Sequence, residues 1–176
     1  RQRLQRASEF PVPIDTKLRW SQEAAEGLAY IHSKRIVHAD VGCHNMIVDS
    51  TDSIKFIDFS GSGIDEEPPF VCYEWCSYRP GSGMNKLTDI FAFGSALFEI
   101  ETGKVPYHEL ESNMEMGKLV TTVERLFSQK KFPPVETLVL GPIISGCWNG
   151  NYMSMDEVYR AITYREGTLP TESRLL

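Results

Sequence analysis

The run from Ile36 to Gly61, IVHADVGCHNMIVDSTDSIKFIDFSG, constrains this chain more than any other stretch. Three oxygen-bearing side chains stand in it at set intervals: Asp40, then Asn45 five residues on, then Asp58 thirteen after that. Apolar runs flank them: Ile36-Val37, Met46-Ile47-Val48, and Ile54, Phe56 and Ile57. Their alternation and β-branching predict short strands, with Thr51, Asp52 and Ser53 as the turn between two of them. Such a hairpin brings Asn45 and Asp58 to the same end of neighbouring strands. A carboxylate and an amide oxygen set together suit Mg²⁺, which takes oxygen ligands and keeps some waters for substrate phosphates. Asp40, in the loop before, would face the same opening, where a carboxylate can orient an attacking hydroxyl and accept its proton.

The 176 residues suffice for one domain with a real core. The net charge of −6, without a basic run, argues against nucleic acid as a partner. No apolar run reaches the ~18 residues of a membrane span. The basic start, RQRLQRASEF, lacks the apolar core of a signal peptide, and with no initiator Met it reads as the interior of a longer protein. Cys43, Cys72, Cys76 and Cys147 form no C-x-x-C pair, which reads as reduced intracellular thiols, and a cytoplasmic setting is expected. Cys43 with His38 and His44 lacks the spacing of a usual zinc site.

Along the chain, Pro11-Val12-Pro13 ends a polar lead of residues 1–13. Leu18, Ala24, Ala25, Leu28 and Ile31 recur at helical spacing, predicting a helix over Ile14–Ser33 capped by Asp15 or Thr16. Residues 62–83 are polar and rich in Pro and Gly, an irregular stretch. From Leu87 to Pro106, Ile90, Phe91, Phe93, Ala96, Leu97, Phe98 and Ile100 cover nearly all faces of one helix over 88–102, started by Thr88 or Asp89 and ended by Gly103. A helix that is apolar all round is buried. Further helices are predicted over Met116–Phe127, Val135–Leu140, Ile143–Trp148 and Met155–Tyr164, the last capped by Ser154, with residues 165–176 a loose polar tail.

The pattern H-x-D-x-x-x-x-N followed by D-F-x-G, here His38-Ala39-Asp40 to Asn45 and then Asp58-Phe59-Ser60-Gly61, resembles the eukaryotic protein kinase family. The buried helix after Leu87 and the Cys147-Trp148 pair resemble the same family, over about residues 14–164. The resemblance implies a mainly α fold with a short β-hairpin region, the C-terminal, larger lobe of a protein kinase. It implies a catalytic loop at 36–48, a metal loop at 58–61 and an activation segment at 58–83. Asp40 would be the proton acceptor, Asn45 and Asp58 would hold Mg²⁺, and Ile47 would lie under the adenine of ATP. His38 would brace the site with Phe59 stacked on it, and Asp89 would accept hydrogen bonds from the catalytic-loop backbone. A protein substrate is the implied partner. No glycine-rich strand pair, lysine strand or partner-Glu helix precedes these motifs, so the smaller lobe is expected elsewhere in the parent protein.

Four departures bear on mechanism. Ala39 replaces the Arg that in many kinases receives an activating phosphate, so activation-segment phosphorylation is not expected to switch this protein by that route. Gly42 replaces a frequent Lys, and His44 stands where tyrosine-specific members carry an Arg. Losing one preorganised charge typically costs ~3 kcal/mol, or ~100-fold in rate. Ser60 replaces a Gly in the metal loop and restricts its backbone. The A-P-E-like motif reads Tyr78-Arg79-Pro80-Gly81, without its Glu and without a clear Arg partner near 150–156. Removing both partners avoids one stranded charge.

Three functions remain open at this stage: a protein Ser/Thr kinase whose isolated larger lobe is inactive, a pseudokinase or interaction module, and a small-molecule phosphotransferase of kinase-like fold.

Overall fold

A computed structural model describes residues 12–65, 67–70 and 73–168. The expected N-terminal lead up to residue 11, the tail from 169, and residues 66, 71 and 72 of the expected activation segment, Cys72 among them, lie outside the described residues.

Helix α1 is Ile14–Ser33, as its spacing predicts, and buries Leu18, Ala24, Ala25, Leu28 and Ile31. The expected cap by Asp15 or Thr16 is not made. The helix starts directly after Pro13, whose φ is −56°, with no side-chain cap, and Asp15 sits in its first turn. A carboxylate there is favoured by the helix dipole. Two short antiparallel pairs follow. Strand β1 (Ile36–Val37) pairs with β4 (Gly63–Ile64). Strand β2 (Met46–Val48) pairs with β3 (Ile54–Phe56) in the register Met46↔Phe56, Ile47↔Lys55, Val48↔Ile54. The second pair is the expected hairpin. Strand β4 falls in the stretch read as irregular, because a two-residue strand carries no period of its own.

The hairpin is tied to α1 at its turn. Asp49 Oδ1 accepts from Thr51 N, Thr51 Oγ1 and Ser53 N, an Asx-type turn. Trp20 Nε1 donates to the Asp52 carbonyl at 3.0 Å, and Arg19 reaches the Asp52 carboxylate at 2.6 Å. Glu23 accepts the Ile54 amide at 2.8 Å. Because a one-residue slip would turn every strand side chain over, these bonds hold the register that places Asn45.

Helix α2 is Lys86–Thr102, and every residue from Thr88 to Ile100 is buried. It begins two residues before the expected Thr88, because Asn85 forms a reciprocal capping box with Thr88. Gly103, at φ 76°, ends it as expected. Helix α3 (His108–Glu111) is a single unpredicted turn, α4 is Met116–Ser128, and α5 is Gly141–Asn149. The short helix expected over 135–140 is a run of turns. There the amides of Val139 and Leu140 donate to the Glu101 carboxylate, which supplies the start of α5 from another helix. Helix α6 is Met155–Thr168, running past Tyr164, and Ser154 Oγ accepts the Glu157 amide at its start.

Helix α2 packs chiefly on α5, and α1 packs on α6 and β3. At Gly94 a side-chain carbon would lie 2.8 Å from Cys147 Cβ, so only glycine permits α2 and α5 to approach this closely. Trp148 Nε1 donates to Ser95 Oγ at 3.1 Å across the same contact. The molecule is thus mainly α with short antiparallel strand pairs. Among the described residues no helix is long and apolar enough to cross a membrane.

Candidate active site

The site is hung on one buried carboxylate of α2. Asp89 is fully buried. Its Oδ2 accepts the His38 amide at 2.8 Å and its Oδ1 the Ala39 amide at 2.9 Å. His32 Nε2 at 2.9 Å and the Tyr73 hydroxyl at 2.7 Å complete four bonds to it. Ala39 has φ 63°, a left-handed conformation that costs a residue with a β-carbon about 1–2 kcal/mol. The two amide bonds to Asp89 hold that turn. The brace was legible in the sequence; the shares of His32 and Tyr73 were not.

His38 is fully buried, donates from Nε2 to the Ile57 carbonyl at 3.2 Å, and packs on Phe56 and Phe59 at ring separations of 5.5 and 5.0 Å. It is a brace, as expected. The next residues form a loop ending in a 3₁₀ turn, Cys43–Asn45. Asp40 is gripped on both oxygens. Asn45 Nδ2 donates to Asp40 Oδ2 at 2.8 Å and to the Asp40 carbonyl at 2.9 Å. His44 Nε2 meets Asp40 Oδ1 at 3.1 Å. The two acceptors fix the Asn45 amide so that its Oδ1 points away from Asp40, with no hydrogen bond from the described residues.

The Ile57 amide donates to the Asn45 carbonyl at 3.0 Å, extending the hairpin by one pair. Asp58 comes one residue later, exposed, at φ 60°. The Ser60 hydroxyl donates to Asp58 Oδ1 at 2.7 Å and the Ser60 amide to the same atom at 3.3 Å. These bonds hold the Asp58 carboxyl below the usual carboxylate range, against a small opposing effect of burial. Asp58 Oδ2 receives no hydrogen bond from the described residues. The restriction expected from Ser60 takes another form: positive φ falls on Asp58 and not on residue 60, and the serine acts through its hydroxyl. Ile47 and Phe59 stand 46% and 43% exposed.

The sequence marks His44 as a replacement for an arginine and as a member of a Cys43/His38 set without zinc spacing, and not as a partner of Asp40. The His44 Nδ1 lies 3.2 Å from Glu74 Oε2, an ion-pair contact, while Nε2 meets Asp40. Burial opposes the charge on this imidazole, but hydrogen bonding and the negative charges of Asp40 and Glu74 prevail and raise its pKa to about 9. The i, i+4 relation of Asp40 and His44 was visible in the sequence; Glu74, thirty residues away, was not. At the decayed A-P-E-like motif, Arg79 lies with Nη2 beside Gly150, the αL residue that ends α5. A cation at a helix C-terminus is favoured by the dipole.

A helical lobe carrying a loop carboxylate, a facing amide and a second carboxylate across a hairpin defines the class as kinase-like. A family model described as protein tyrosine and serine/threonine kinase matches residues 1–155, and the chain belongs to that family. A probable serine/threonine-protein kinase of Dictyostelium discoideum is 27% identical over 154 residues, covering 82% of this chain and 11% of that protein. Fer-related kinase 1 of Caenorhabditis elegans is 27% identical over 165 residues, covering 86% of this chain and 41% of that protein. Serine/threonine-protein kinase pkpA of Phycomyces blakesleeanus is 30% identical over 143 residues, covering 73% and 23%. The chain therefore spans less than half the length of each of these relatives.

Proposed function

We propose that these residues are the larger lobe of a protein kinase that transfers the γ-phosphoryl group of ATP to a Ser or Thr hydroxyl of a protein. One observation carries this reading. Asp40 is fixed between His44 and Asn45, while Asn45 Oδ1 and Asp58 Oδ2 are left without hydrogen bonds from the described residues. Two oxygens of this kind fit Mg²⁺, which binds through one or two protein oxygens plus phosphates and water. The ion would neutralise charge on the phosphates. Asp40 orients the attacking hydroxyl and accepts its proton; each of its oxygens keeps a lone pair beyond the bond it now takes. Ile47 offers an apolar surface to the adenine. The substrate class rests on the names of relatives, two of the three above being serine/threonine kinases.

The test is Asp40→Asn in the intact protein, followed by ATP-dependent, Mg²⁺-dependent phosphorylation of Ser/Thr and Tyr peptide libraries. Loss of at least about 100-fold in kcat with an unchanged melting temperature supports the reading. Unchanged turnover sinks it. The described residues contain no glycine-rich strand pair and no lysine strand ahead of Asp40, so we expect no turnover from these 176 residues alone.

A second reading, a binding module without turnover, is favoured by Ala39 and Gly42, which remove two cations from the loop. It requires that Asp40→Asn leave the protein's function intact.

A further inference from the structure

Two consecutive residues of the activation segment reach the catalytic loop without a phosphate, Tyr73 indirectly through the α2 carboxylate Asp89 and Glu74 directly at His44. Tyr73 is 5% exposed. Its hydroxyl donates to Asp89 Oδ1 at 2.7 Å and lies 2.7 Å from Thr88 Oγ1. Asp89 is the carboxylate that also accepts the His38 and Ala39 amides. Glu74, the next residue, sets Oε2 3.2 Å from His44 Nδ1, and the far side of that ring meets Asp40 at 3.1 Å. The imidazole therefore lies between two carboxylates from separate segments.

Gly42 makes the room for this arrangement. A side-chain carbon at position 42 would stand 2.5 Å from His44 Cε1 and 2.6 Å from Nδ1, well inside contact distance. A lysine at 42 and this placement of His44 exclude one another. Ala39, Gly42 and His44, which read separately as losses, fit together as one arrangement: the imidazole of residue 44 occupies the room left at residue 42, and a carboxylate of the chain itself stands opposite it.

We infer that Glu74, acting through His44, is a positioning residue for Asp40, and that with Tyr73 it forms a standing clasp between activation segment and catalytic loop in place of a phosphate–arginine contact. The role in orienting Asp40 rests on the kinase reading above; the clasp itself does not.

Hydrogen exchange on the intact protein, without nucleotide or metal, reads the clasp directly. In Glu74→Gln, and in Gly42→Ala, which pushes the imidazole aside, the amides of residues 73–79 exchange about tenfold faster, as local opening becomes easier. Glu74→Asp retains most of the protection. Tyr73→Phe, which keeps the ring and removes only the hydroxyl, speeds exchange at the Ala39 amide. Unchanged exchange in both Glu74→Gln and Gly42→Ala overturns the clasp, as does phosphatase treatment that loosens the segment in the wild-type protein. In turnover assays Glu74→Gln lowers kcat while KM for ATP stays within about twofold, the mark of a lost transition-state interaction. A loss confined to KM overturns the positioning role. A wild-type protein that shows clasp-dependent exchange but no turnover keeps the clasp and removes the kinase reading.

Discussion

The Ala39 amide donates at 2.9 Å to the carboxylate of Asp89, fifty residues further along the chain, and this one bond joins the buried helix to the catalytic loop at its most contorted residue. With the His38 amide beside it, the bond converts a costly left-handed turn into a fixed one. The direction in which Asp40 leaves the loop is set from beneath, by a fully buried residue of α2.

Replacing Asp89 by Asn keeps the shape but turns an NH₂ group toward two of the four donors that the carboxylate now accepts. The substitution is expected to cost about 3 kcal/mol, the usual scale for leaving buried polar groups unsatisfied. Urea unfolding measures it, and a loss under ~1 kcal/mol would show that the loop holds its turn without the brace.

Gly94→Ala tests the contact of α2 with α5. The added methyl meets Cys147 Cβ at 2.8 Å and the Trp148 indole at 3.2 Å. Both neighbours are buried, so the helices must separate, at about 1–3 kcal/mol for an overpacked core. A Tm within a degree of wild type would mean that the interface yields freely.

The pH dependence of stability follows from His44. Its folded pKa is raised to about 9 from an ordinary value of 6.5. A raised pKa means that the folded state holds the proton more tightly, so the contribution is fully present below pH 6.5 and is lost as pH rises through about 9. In Mg²⁺-free buffer the urea midpoint should fall between pH 6.5 and 9.5 in the wild type, and the fall should be smaller in His44→Gln. Parallel declines in the two proteins would assign the effect to other groups.

Ser60→Ala addresses the loop that carries Asp58. Ser60 donates twice to Asp58 Oδ1, and its side-chain bond is the main cause of the lowered Asp58 pKa. Removing the hydroxyl should move the Asp58 titration upward toward the usual carboxylate range, read by the carboxyl carbon shift in NMR. An Asp58 titration that stays in place would show that the amide bond and nearby imidazoles suffice.

Much of the fold was legible because it depends on local period. Helix α1 was readable from Leu18 through Ile31, α2 from its apolar residues on every face, and the hairpin from β-branched runs around a polar turn. The errors have local causes too. The start of α2 was placed at Thr88 because Asn85 lies among polar loop residues, and only its reciprocal bond with Thr88 marks it as the cap. Residues 135–140 have a helical pattern, yet Glu101 takes two of their amides for α5, a partner that no window of sequence around them contains.

By itself the sequence determined the spacing of Asp40, Asn45 and Asp58, the hairpin between them and the buried helix behind them, because each depends on the order of side chains over a few turns or strands. The tertiary structure alone decided that Asp89 would gather His32, His38, Ala39 and Tyr73, and that His44 would stand between Asp40 and Glu74. The physical reason is that hydrogen bonds and ion pairs act over a few ångströms in space, and a carboxylate thirty or fifty residues away becomes a neighbour only after the core has packed.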